Sequence, residues 1–271
     1  MSDRDSVMVA IVGAGEMGAA VGRRLRTFGV RVVTSIAGRS AESVARVRAA
    51  GLETVTDDDS LVRDANIVLS IVPPGVAVEV AERLRGPLSR SHLKPAFVEC
   101  NAISPATCRR IRDILDPTTF IDAGIIGGPP VAGTQDPAKG PRFYASGADA
   151  HLLRRLASLG LDIALLDGPI GAASGLKLSY AGLTKGFTAL CATMLGAAER
   201  EGLADALRSE LARTQPSFLA RIDRIIPDMR PKAYRWVAEM QQIAEFVGSP
   251  ENGATIYEGA ALLYRQIASQ V

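Results

Sequence analysis

A run of glycines near the start of the chain, Gly13-Ala14-Gly15-Glu16-Met17-Gly18, has the spacing of a loop that holds a diphosphate group. It follows the apolar segment Met8–Val12 and opens a segment with helical periodicity, the context that makes a short glycine pattern informative. Gly13 permits a tight turn, Gly15 lets backbone amides approach a pyrophosphate, and Gly18 lets the helix lie against the strand. The helix N-terminus then points its unpaired amides at the phosphates. The run therefore predicts dinucleotide binding through all six of its residues.

The residues Gly38-Arg39-Ser40 follow the second predicted strand, where NAD-dependent enzymes place an acidic residue about 20 residues after the glycine run. Here the nearest acid is Glu42, beyond that position. A carboxylate would repel a 2′-phosphate, whereas the Arg39 guanidinium can bind one through two charge-assisted hydrogen bonds, helped by the Ser40 hydroxyl and amide. We therefore predict NADP rather than NAD, with a solvated surface arginine as the alternative for Arg39.

Further motifs carry a resemblance to a known family. They are the turn Val72-Pro73-Pro74, the run Asn101-Ala102-Ile103-Ser104-Pro105, the run Asp122-Ala123-Gly124-Ile125-Ile126-Gly127-Gly128, and the segment from Gly171 to Lys177. With the glycine run, they make nearly the whole chain resemble the β-hydroxyacid dehydrogenase superfamily, which includes 3-hydroxyisobutyrate and 6-phosphogluconate dehydrogenases and, more distantly, imine reductases. Within it, the segments 177–181, 184–186 and 233–240 are similar to a little-characterised subgroup with its own C-terminal helical domain. The resemblance implies that Val72, Pro73 and Asn101 contact the cofactor.

The resemblance also implies that Lys177 is the catalytic residue, on a helix across from the nicotinamide. The chemistry agrees, because oxidation of an alcohol needs a group that takes the hydroxyl proton as hydride leaves, and a partly desolvated lysine can do so. The chain has only two histidines, His92 and His151, both in polar surroundings that indicate surface positions. An ordinary exposed lysine is the alternative interpretation of Lys177.

Several residues depart from the better-known members of the superfamily. Ala181 stands where those members carry an asparagine, and Ile126 stands where they carry a serine. Asn101 replaces a substrate-contacting serine or threonine, and its amide can still both donate and accept. The backbone amides of Gly127 and Gly128 can still meet a substrate carboxylate, because neither residue has a side chain to prevent close approach. These departures predict a less polar substrate pocket.

Four more residues complete the predicted substrate site, and three of them have a structural alternative. Tyr180 lies one helical turn after Lys177 and would donate to the substrate or hold the lysine, or else be an ordinary core tyrosine. Lys185 would bind an anionic substrate or simply be solvated. Arg235 and Trp236 would reach the cleft of a neighbouring subunit, or Trp236 would pack in the core of its domain.

The elements that must position these residues alternate along the first part of the chain. Apolar runs that predict strands are separated by segments of helical period as far as Leu166. The predicted strands are Met8–Val12, Arg31–Ile36, Asn66–Ile71, Pro95–Cys100, Thr119–Gly124, Phe143–Ala145 and Ile163–Leu166. This alternation predicts an α/β fold with a doubly wound, Rossmann-like sheet as the NADP-binding domain over residues 1–168.

After Gly168 the pattern becomes helical, which predicts an all-helical substrate and dimerisation domain over residues 169–271. Its first helix, Ala172–Gly202, joins the two domains and would be about 45 Å long, so we expect a second subunit to cover it and predict a homodimer. Shorter helices are predicted near Ala204–Arg213, Pro216–Ile225, Pro231–Val247 and Gly253–Ser269.

Composition narrows the class of partner. The chain has 271 residues and a formal charge of +2, so it can bury a sizeable core and shows no extended basic face for nucleic acid. Without a leader or a spanning apolar run we expect a cytoplasmic protein with no membrane association. The three cysteines are not spaced as metal ligands, and we expect buried, reduced thiols and no metal.

The sequence thus predicts an NADP-dependent dehydrogenase acting on a CH–OH group of a small, anionic hydroxyacid or related alcohol, with Lys177 as general acid-base. An NADPH-dependent imine reductase remains open, because of Ala181 and Ile126. A sensor that binds NADP without catalysis also remains open, although such a module would have no need of Lys177.

Overall fold

The computed structural model describes residues 7–270. Within them, an eight-stranded sheet is followed by a long helix and four further helices. The strands are β1 (Met8–Val12), β2 (Arg31–Ser35), β3 (Glu53–Val55), β4 (Ile67–Ser70), β5 (Ala96–Glu99), β6 (Phe120–Ile126), β7 (Arg142–Ser146) and β8 (Asp162–Leu165).

The strand order is β3-β2-β1-β4-β5-β6-β7-β8, and every neighbouring pair is parallel except β6 with β7. The chain runs outward from β1 to β3 and then crosses back to place β4 on the other side of β1. Dinucleotides bind at such a reversal of strand order, beyond the carboxyl ends of the strands. The predicted α/β class and Rossmann-like sheet are confirmed.

Helices cover both faces of the sheet. They are α1 (Glu16–Thr27), α2 (Ala41–Ala49), α3 (Asp58–Val62), α4 (Ala77–Arg90), α5 (Pro105–Leu115) and α6 (Arg154–Ala157). Alternate residues of a strand point to opposite faces, so β1 supplies Val9 and Ile11 to one hydrophobic cluster and Met8, Ala10 and Val12 to the other. Burial on both faces fixes the register of the central strands, and with it the positions of the residues at their ends.

The remaining helices are α7 (Ala172–Arg200), α8 (Ala204–Thr214), α9 (Pro216–Met229), α10 (Ala233–Val247) and α11 (Ala254–Ala268). This confirms a helical C-terminal region that begins with one long helix. By the density of its internal contacts the chain divides into two compact units, the first ending at Lys177 and the second beginning at Leu178. The predicted boundary at residue 168 lies in the turn before α7, whereas the contact-based division falls within that helix.

In the second unit, α10 and α11 pack together, and Tyr264 of α11 is fully buried. The Tyr264 hydroxyl donates to the carbonyl oxygen of Lys185 on α7, over a distance of 2.5 Å. This bond fastens α11 to the long helix. No helix among residues 7–270 is long and apolar enough to cross a membrane.

Candidate active site

The glycine run forms a tight loop between β1 and α1. Gly13 has a φ of +83°, and a Cβ there would lie 2.4 Å from the carbonyl oxygen of Ile71. A Cβ on Gly18 would lie 2.5 Å from the carbonyl oxygen of Gly13, so both positions require glycine. A Cβ on Gly15 would meet no atom within 4 Å. Gly15 and Glu16 are exposed at the start of α1, so open space lies in front of the helix amides.

This arrangement fits a dinucleotide, because the exposed N-terminus of α1 offers amides and partial positive charge to a diphosphate. Ala14 is buried and Met17 packs against the core, so these two side chains shape the loop from behind.

At the carboxyl end of β2, Gly38 has a φ of +66° and Arg39 is exposed. The Arg39 guanidinium has no hydrogen bond or ion pair with any residue from 7 to 270. Ser40 is the N-cap of α2, and its hydroxyl oxygen accepts from the Ser43 amide. Glu42 pairs with Arg46 on the same helix, so its charge is already balanced. The end of β2 therefore presents an uncompensated positive charge.

A row of four buried polar side chains crosses the middle of the sheet. Ser70, Glu99, Asp122 and Ser146 are register partners on β4, β5, β6 and β7, and each is 0% exposed. Because register partners project to the same face of a sheet, the two carboxyl groups are neighbours. We call these four residues the polar row.

Asp122 anchors the beginning of α7. Its Oδ2 accepts from the backbone amides of Gly171, Ala173 and Ser174 at 2.8, 3.0 and 3.2 Å, and from the Ser146 hydroxyl at 2.9 Å. Its Oδ1 accepts from the Ser174 hydroxyl at 2.6 Å. Three backbone donors that a helix N-terminus would otherwise leave unpaired are thus satisfied by one carboxylate from the sheet.

Lys177 lies one turn beyond this anchor and is half-buried. A Cβ built on Gly124, two residues after Asp122 on β6, would lie 3.0 Å from the Lys177 Cβ and 2.8 Å from the carbonyl oxygen of Ala173. The absence of a side chain at Gly124 therefore lets α7 approach the strand closely. Lys177 is consequently fixed relative to β6 by a hydrogen-bonded anchor and by direct packing.

Glu99 differs from Asp122 in its surroundings. Burial raises the pKa of Glu99 to about 8, with the Asp122 charge adding to the increase and hydrogen bonds from Asn101 and Ser70 opposing it. Its Oε1 accepts from the backbone amide of Asn101 at 2.9 Å, whereas Oε2 is buried without a hydrogen-bond partner among the described residues. Glu99 is therefore protonated at neutral pH.

Asn101 connects the polar row to the turn after β4. Its Oδ1 accepts from the Val72 amide at 2.6 Å, and its Nδ2 donates to the Ser70 hydroxyl at 3.0 Å. Asn101 is buried, with 3% of its surface exposed, and its side-chain amide holds the Val72 turn in place. Val72 in turn lies behind Gly13. The predicted contacts of Asn101, Val72 and Pro73 with cofactor, and of Asn101 with substrate, stay predictions.

Gly127 and Gly128 follow directly after β6 and are exposed. Gly127 has a φ of +121°, a conformation that side chains disfavour, and a Cβ there would lie 3.1 Å from Pro141 Cα. A Cβ on Gly128 would meet no atom within 4 Å. Strand β6 therefore contributes the anchor for α7 and ends in an exposed glycine pair.

The predicted site residues of the second unit lie on α7 and α10. Tyr180 is half-exposed, whereas Lys185 forms a short ion pair with the buried Glu239. The Lys185 ammonium also lies 5.0 Å from the centre of the Trp236 ring, and that ring packs edge-on against Tyr264 at 5.1 Å. The structure thus brings Lys185 and Trp236 together.

Arg235 is exposed, with its guanidinium 5.7 Å from the Tyr234 ring. Substrate contact by Tyr180, Lys185, Arg235 and Trp236 stays a prediction.

The other reactive side chains have ordinary surroundings. Cys100, Cys108 and Cys191 are buried free thiols, and burial raises the pKa of each. His92 and His151 are exposed. No cluster of potential metal ligands occurs among residues 7–270.

The sequence interpretation missed the roles of Glu99, Asp122 and Gly124. A signal was present, since an aspartate within the apolar run Phe120–Ile126 is unusual at a fully buried strand position. The partners of Asp122 are about 50 residues away in the chain, so only the fold identifies it as the anchor of α7.

Comparison with known proteins agrees with this geometry. Residues 8–158 match the family model described as the NAD binding domain of 6-phosphogluconate dehydrogenase, and residues 198–267 match a domain of unknown function, DUF1932. The chain is 27% identical over 207 residues to an uncharacterized 28.5 kDa protein of Methanothermus fervidus, covering 76% of this chain and 77% of that protein.

Among the similar solved structures are two that each match 97% of this chain. One is the conserved protein MTH1747, described as similar in structure to 3-hydroxyacid dehydrogenases, with a TM-score of 0.70, 29% identity and 97% of its own length covered. The other is 3-hydroxyisobutyrate dehydrogenase of Mycobacterium tuberculosis, with a TM-score of 0.70, 19% identity and 94% of its length covered. The chain therefore belongs to the β-hydroxyacid dehydrogenase superfamily of nicotinamide dinucleotide-dependent oxidoreductases.

Proposed function

We propose that this protein is an NADP-dependent oxidoreductase that interconverts a small hydroxyacid and its keto form, with Lys177 as the general acid-base. The observation that carries the proposal is the attachment of Lys177 to β6. Asp122 and Gly124 fix the first turns of α7 on this strand, and the strand ends at Gly127 and Gly128. A lysine held in this way is suited to act on a bound hydroxyl group.

When bound, the nicotinamide supplies the acceptor or donor of the hydride. In the oxidation, the neutral Lys177 amine takes the proton from the substrate hydroxyl oxygen as its carbon loses hydride, and the C–O single bond becomes a carbonyl. In the reduction, the Lys177 ammonium returns that proton to the oxygen. The polar row and its neighbour Asn101 hold two backbone segments in place, because Asp122 fixes the lysine helix while Asn101 fixes the Val72 turn.

The preference for NADP rests on Arg39. Its guanidinium is exposed and has no partner among the described residues, at a position where a carboxylate would select NAD. A guanidinium can form paired, charge-assisted hydrogen bonds with a 2′-phosphate, and each such bond contributes about 1.5–3 kcal/mol.

Nucleotide binding tests this preference without a known substrate. We expect Arg39→Asp to weaken NADPH binding by about 10- to 100-fold while NADH binding changes little, as measured by the fluorescence of the reduced nucleotide. Arg48→Asp, at an exposed arginine on the following helix α2, makes the same charge change and should leave the ratio of the two affinities unaltered. Equal binding of NADPH and NADH by the wild-type protein would refute the preference.

An anionic hydroxyacid is supported by the exposed glycine pair after β6, whose amides a carboxylate can approach closely. A panel of 3-hydroxyacids, keto acids and cyclic imines, followed by NADPH absorbance, tests the reaction. Turnover of hydroxyacids or keto acids supports the proposal, and turnover of imines alone replaces it with an imine reductase. Nucleotide binding without turnover of any compound leaves a binding module.

We also propose that the second unit pairs with a second copy of the chain. On α7, three large apolar side chains lie along one stripe: Leu183, Leu190 and Met194 are 74%, 62% and 56% exposed. Their spacing of seven and four residues places them on one face of the helix. Contiguous exposed apolar surface of this kind is typical of a protein interface.

Light scattering tests the pairing. The wild-type protein should have the mass of a dimer, and the double variant Leu183→Glu with Leu190→Glu should have the mass of a monomer. Leu203→Glu, at a leucine that is 55% exposed outside α7, should remain dimeric. A monomeric wild-type protein would contradict the proposal.

A further inference from the structure

The helical unit contains a cavity of about 420 Å³, within the range of sites for small molecules. Three helices form its walls. The residues that matter here are Thr184, Lys185 and Thr188 on α7, Arg221 and Arg224 on α9, and Trp236 on α10. All of them belong to the second compact unit.

Two of the charges on the cavity wall are already balanced. The Lys185 ammonium is paired with the Glu239 carboxylate, and both groups are largely buried. Asp228, which also lines the cavity, is paired with Lys232 at 2.5 Å, one turn along the chain. These pairs leave neither an anion-binding lysine nor a free carboxylate in the cavity.

The two arginines of α9 are not balanced in this way. Within residues 7–270, the guanidinium groups of Arg221 and Arg224 form no ion pair and donate no hydrogen bond. The Arg221 guanidinium lies 4.6 Å from the centre of the Phe187 ring, and Phe187 packs edge-on against Phe218, which holds the guanidinium in place. Since residues three apart on a helix are neighbours, both guanidinium groups flank the same cavity. The cavity therefore has two uncompensated positive charges.

The rest of the wall suits an organic body rather than a bare ion. The hydroxyls of Thr184 and Thr188 donate to carbonyl oxygens of their own helix, each at 2.9 Å, so they can only accept hydrogen bonds from a ligand. Trp236 is half-buried and stands against Tyr264, which leaves part of its indole surface on the cavity. A ligand with an apolar or flat body would cover this surface.

We propose that this cavity is a binding site for an organic anion, with a carboxylate or phosphate held by Arg221 and Arg224 and an apolar or flat body against Trp236. Paired guanidinium groups bind planar carboxylates and phosphates through directed hydrogen bonds, which lysine cannot match. Tyr180, Lys185 and Trp236, which the sequence predicts to contact substrate, also line this cavity. Binding of the anion as proposed here nevertheless requires neither cofactor nor turnover, so it can be tested apart from the proposed reaction.

The chain offers a built-in reporter, because Trp236 is its single tryptophan. The full-length protein, without nucleotide, is titrated with phenyl phosphate, benzoate, inorganic phosphate and benzyl alcohol while tryptophan fluorescence is recorded. We expect a saturable change with phenyl phosphate or benzoate, and affinities at least about tenfold weaker for inorganic phosphate and for the uncharged alcohol. The preferred anion distinguishes a phosphate site from a carboxylate site.

Variants of the arginines decide whether the site is the one proposed. The double variant Arg221→Ala with Arg224→Ala should raise the Kd of the preferred anion at least about tenfold, and Arg221→Lys with Arg224→Lys should recover part of the loss. Arg213→Ala, at an exposed arginine of α8 that pairs with Glu210, should leave the Kd unchanged. Circular dichroism checks that each variant is folded.

Three results would overturn the proposal. One is the absence of any saturable fluorescence change with the organic anions, and another is equal binding of benzyl alcohol. The third is an unchanged Kd in the double alanine variant; if that variant also became monomeric, the arginines would serve contact between subunits instead.

Discussion

Replacing Glu99 with glutamine removes a group of the polar row whose pKa is raised to near neutral pH. Glu99 is fully buried, and burial raises its pKa to about 8 from an ordinary value of 4.5. Between these values the folded protein holds a proton that the unfolded chain releases. The contribution of Glu99 to the free energy of unfolding therefore falls as the pH rises through this window, and it is lost above about pH 8.

The size of the effect follows from the two pKa values. One pKa unit corresponds to about 1.4 kcal/mol, and between pH 5.5 and 7.5 the Glu99 contribution falls by about 2.5 kcal/mol. Domains are stable by only about 5–15 kcal/mol, so a change of this size is measurable. Glutamine keeps an Oε1 that can accept from the backbone amide of Asn101, and its side chain does not titrate between pH 5.5 and 7.5.

Urea unfolding of wild-type protein and Glu99→Gln, followed by far-ultraviolet circular dichroism at several pH values, measures the difference. We expect the stability of the variant relative to wild type to increase by about 2.5 kcal/mol from pH 5.5 to 7.5. Trp236 lies in the helical unit, so its fluorescence distinguishes a separate transition of that unit.

Glu82→Gln, at an exposed glutamate of α4, serves as the control and should follow the wild-type pH profile. Parallel pH profiles for wild type and Glu99→Gln would refute the reasoning, because they would show that Glu99 has the same protonation in the folded and unfolded chains.

Two further predictions concern the attachment of α7. Asp122→Asn should destabilise the protein by about 2–4 kcal/mol in urea unfolding, because the side-chain nitrogen of asparagine cannot accept the hydrogen bonds that one oxygen of Asp122 accepts. Ser146→Ala, which removes one hydroxyl donor, should cost less, and an equal loss in both would contradict the anchoring role of Asp122. Gly124→Ala should cost about 1–3 kcal/mol and reduce turnover, because its Cβ would lie 2.8 Å from the Ala173 carbonyl oxygen. Unaltered turnover in Gly124→Ala would show that close approach of α7 to β6 is unnecessary; Gly259→Ala, where a Cβ meets open space, is its control.

Much of the fold could be predicted because the spacing of apolar residues indicates which side chains of a strand or helix are buried. Seven of the eight strands correspond to predicted apolar runs, and the long helix begins at Ala172 as expected. Strand β3 was missed because Glu53–Val55 has three residues, of which two are exposed, so it has no apolar run. The predicted helix that ended at Ile225 continues to Met229 through Pro227, because a proline in the last turn removes only one late hydrogen bond.

The candidate site could be predicted only where local sequence carries the information. The glycine run is a local feature, because the role of each glycine depends on its near neighbours in the chain. In the structure a Cβ would clash at Gly13 and Gly18, and Gly15 faces open space, as the sequence predicts. The polar row and the arginines beside Trp236 are different, because their partners come from separate strands or helices and their charges matter only after burial and pairing are known. For Lys185, the sequence left binding of an anion open, and only the structure shows that Glu239 already balances its charge.

The central claim is that Lys177 moves the proton of the reaction, and turnover by Lys177→Ala tests it most directly. On a compound that the wild-type protein turns over, we predict that kcat falls at least about 100-fold, the usual size of an acid-base contribution, while the Kd for NADPH stays unchanged. Lys177→Arg, which keeps the charge and cannot release a proton, should be similarly impaired. Full activity in Lys177→Ala with NADPH would contradict the account.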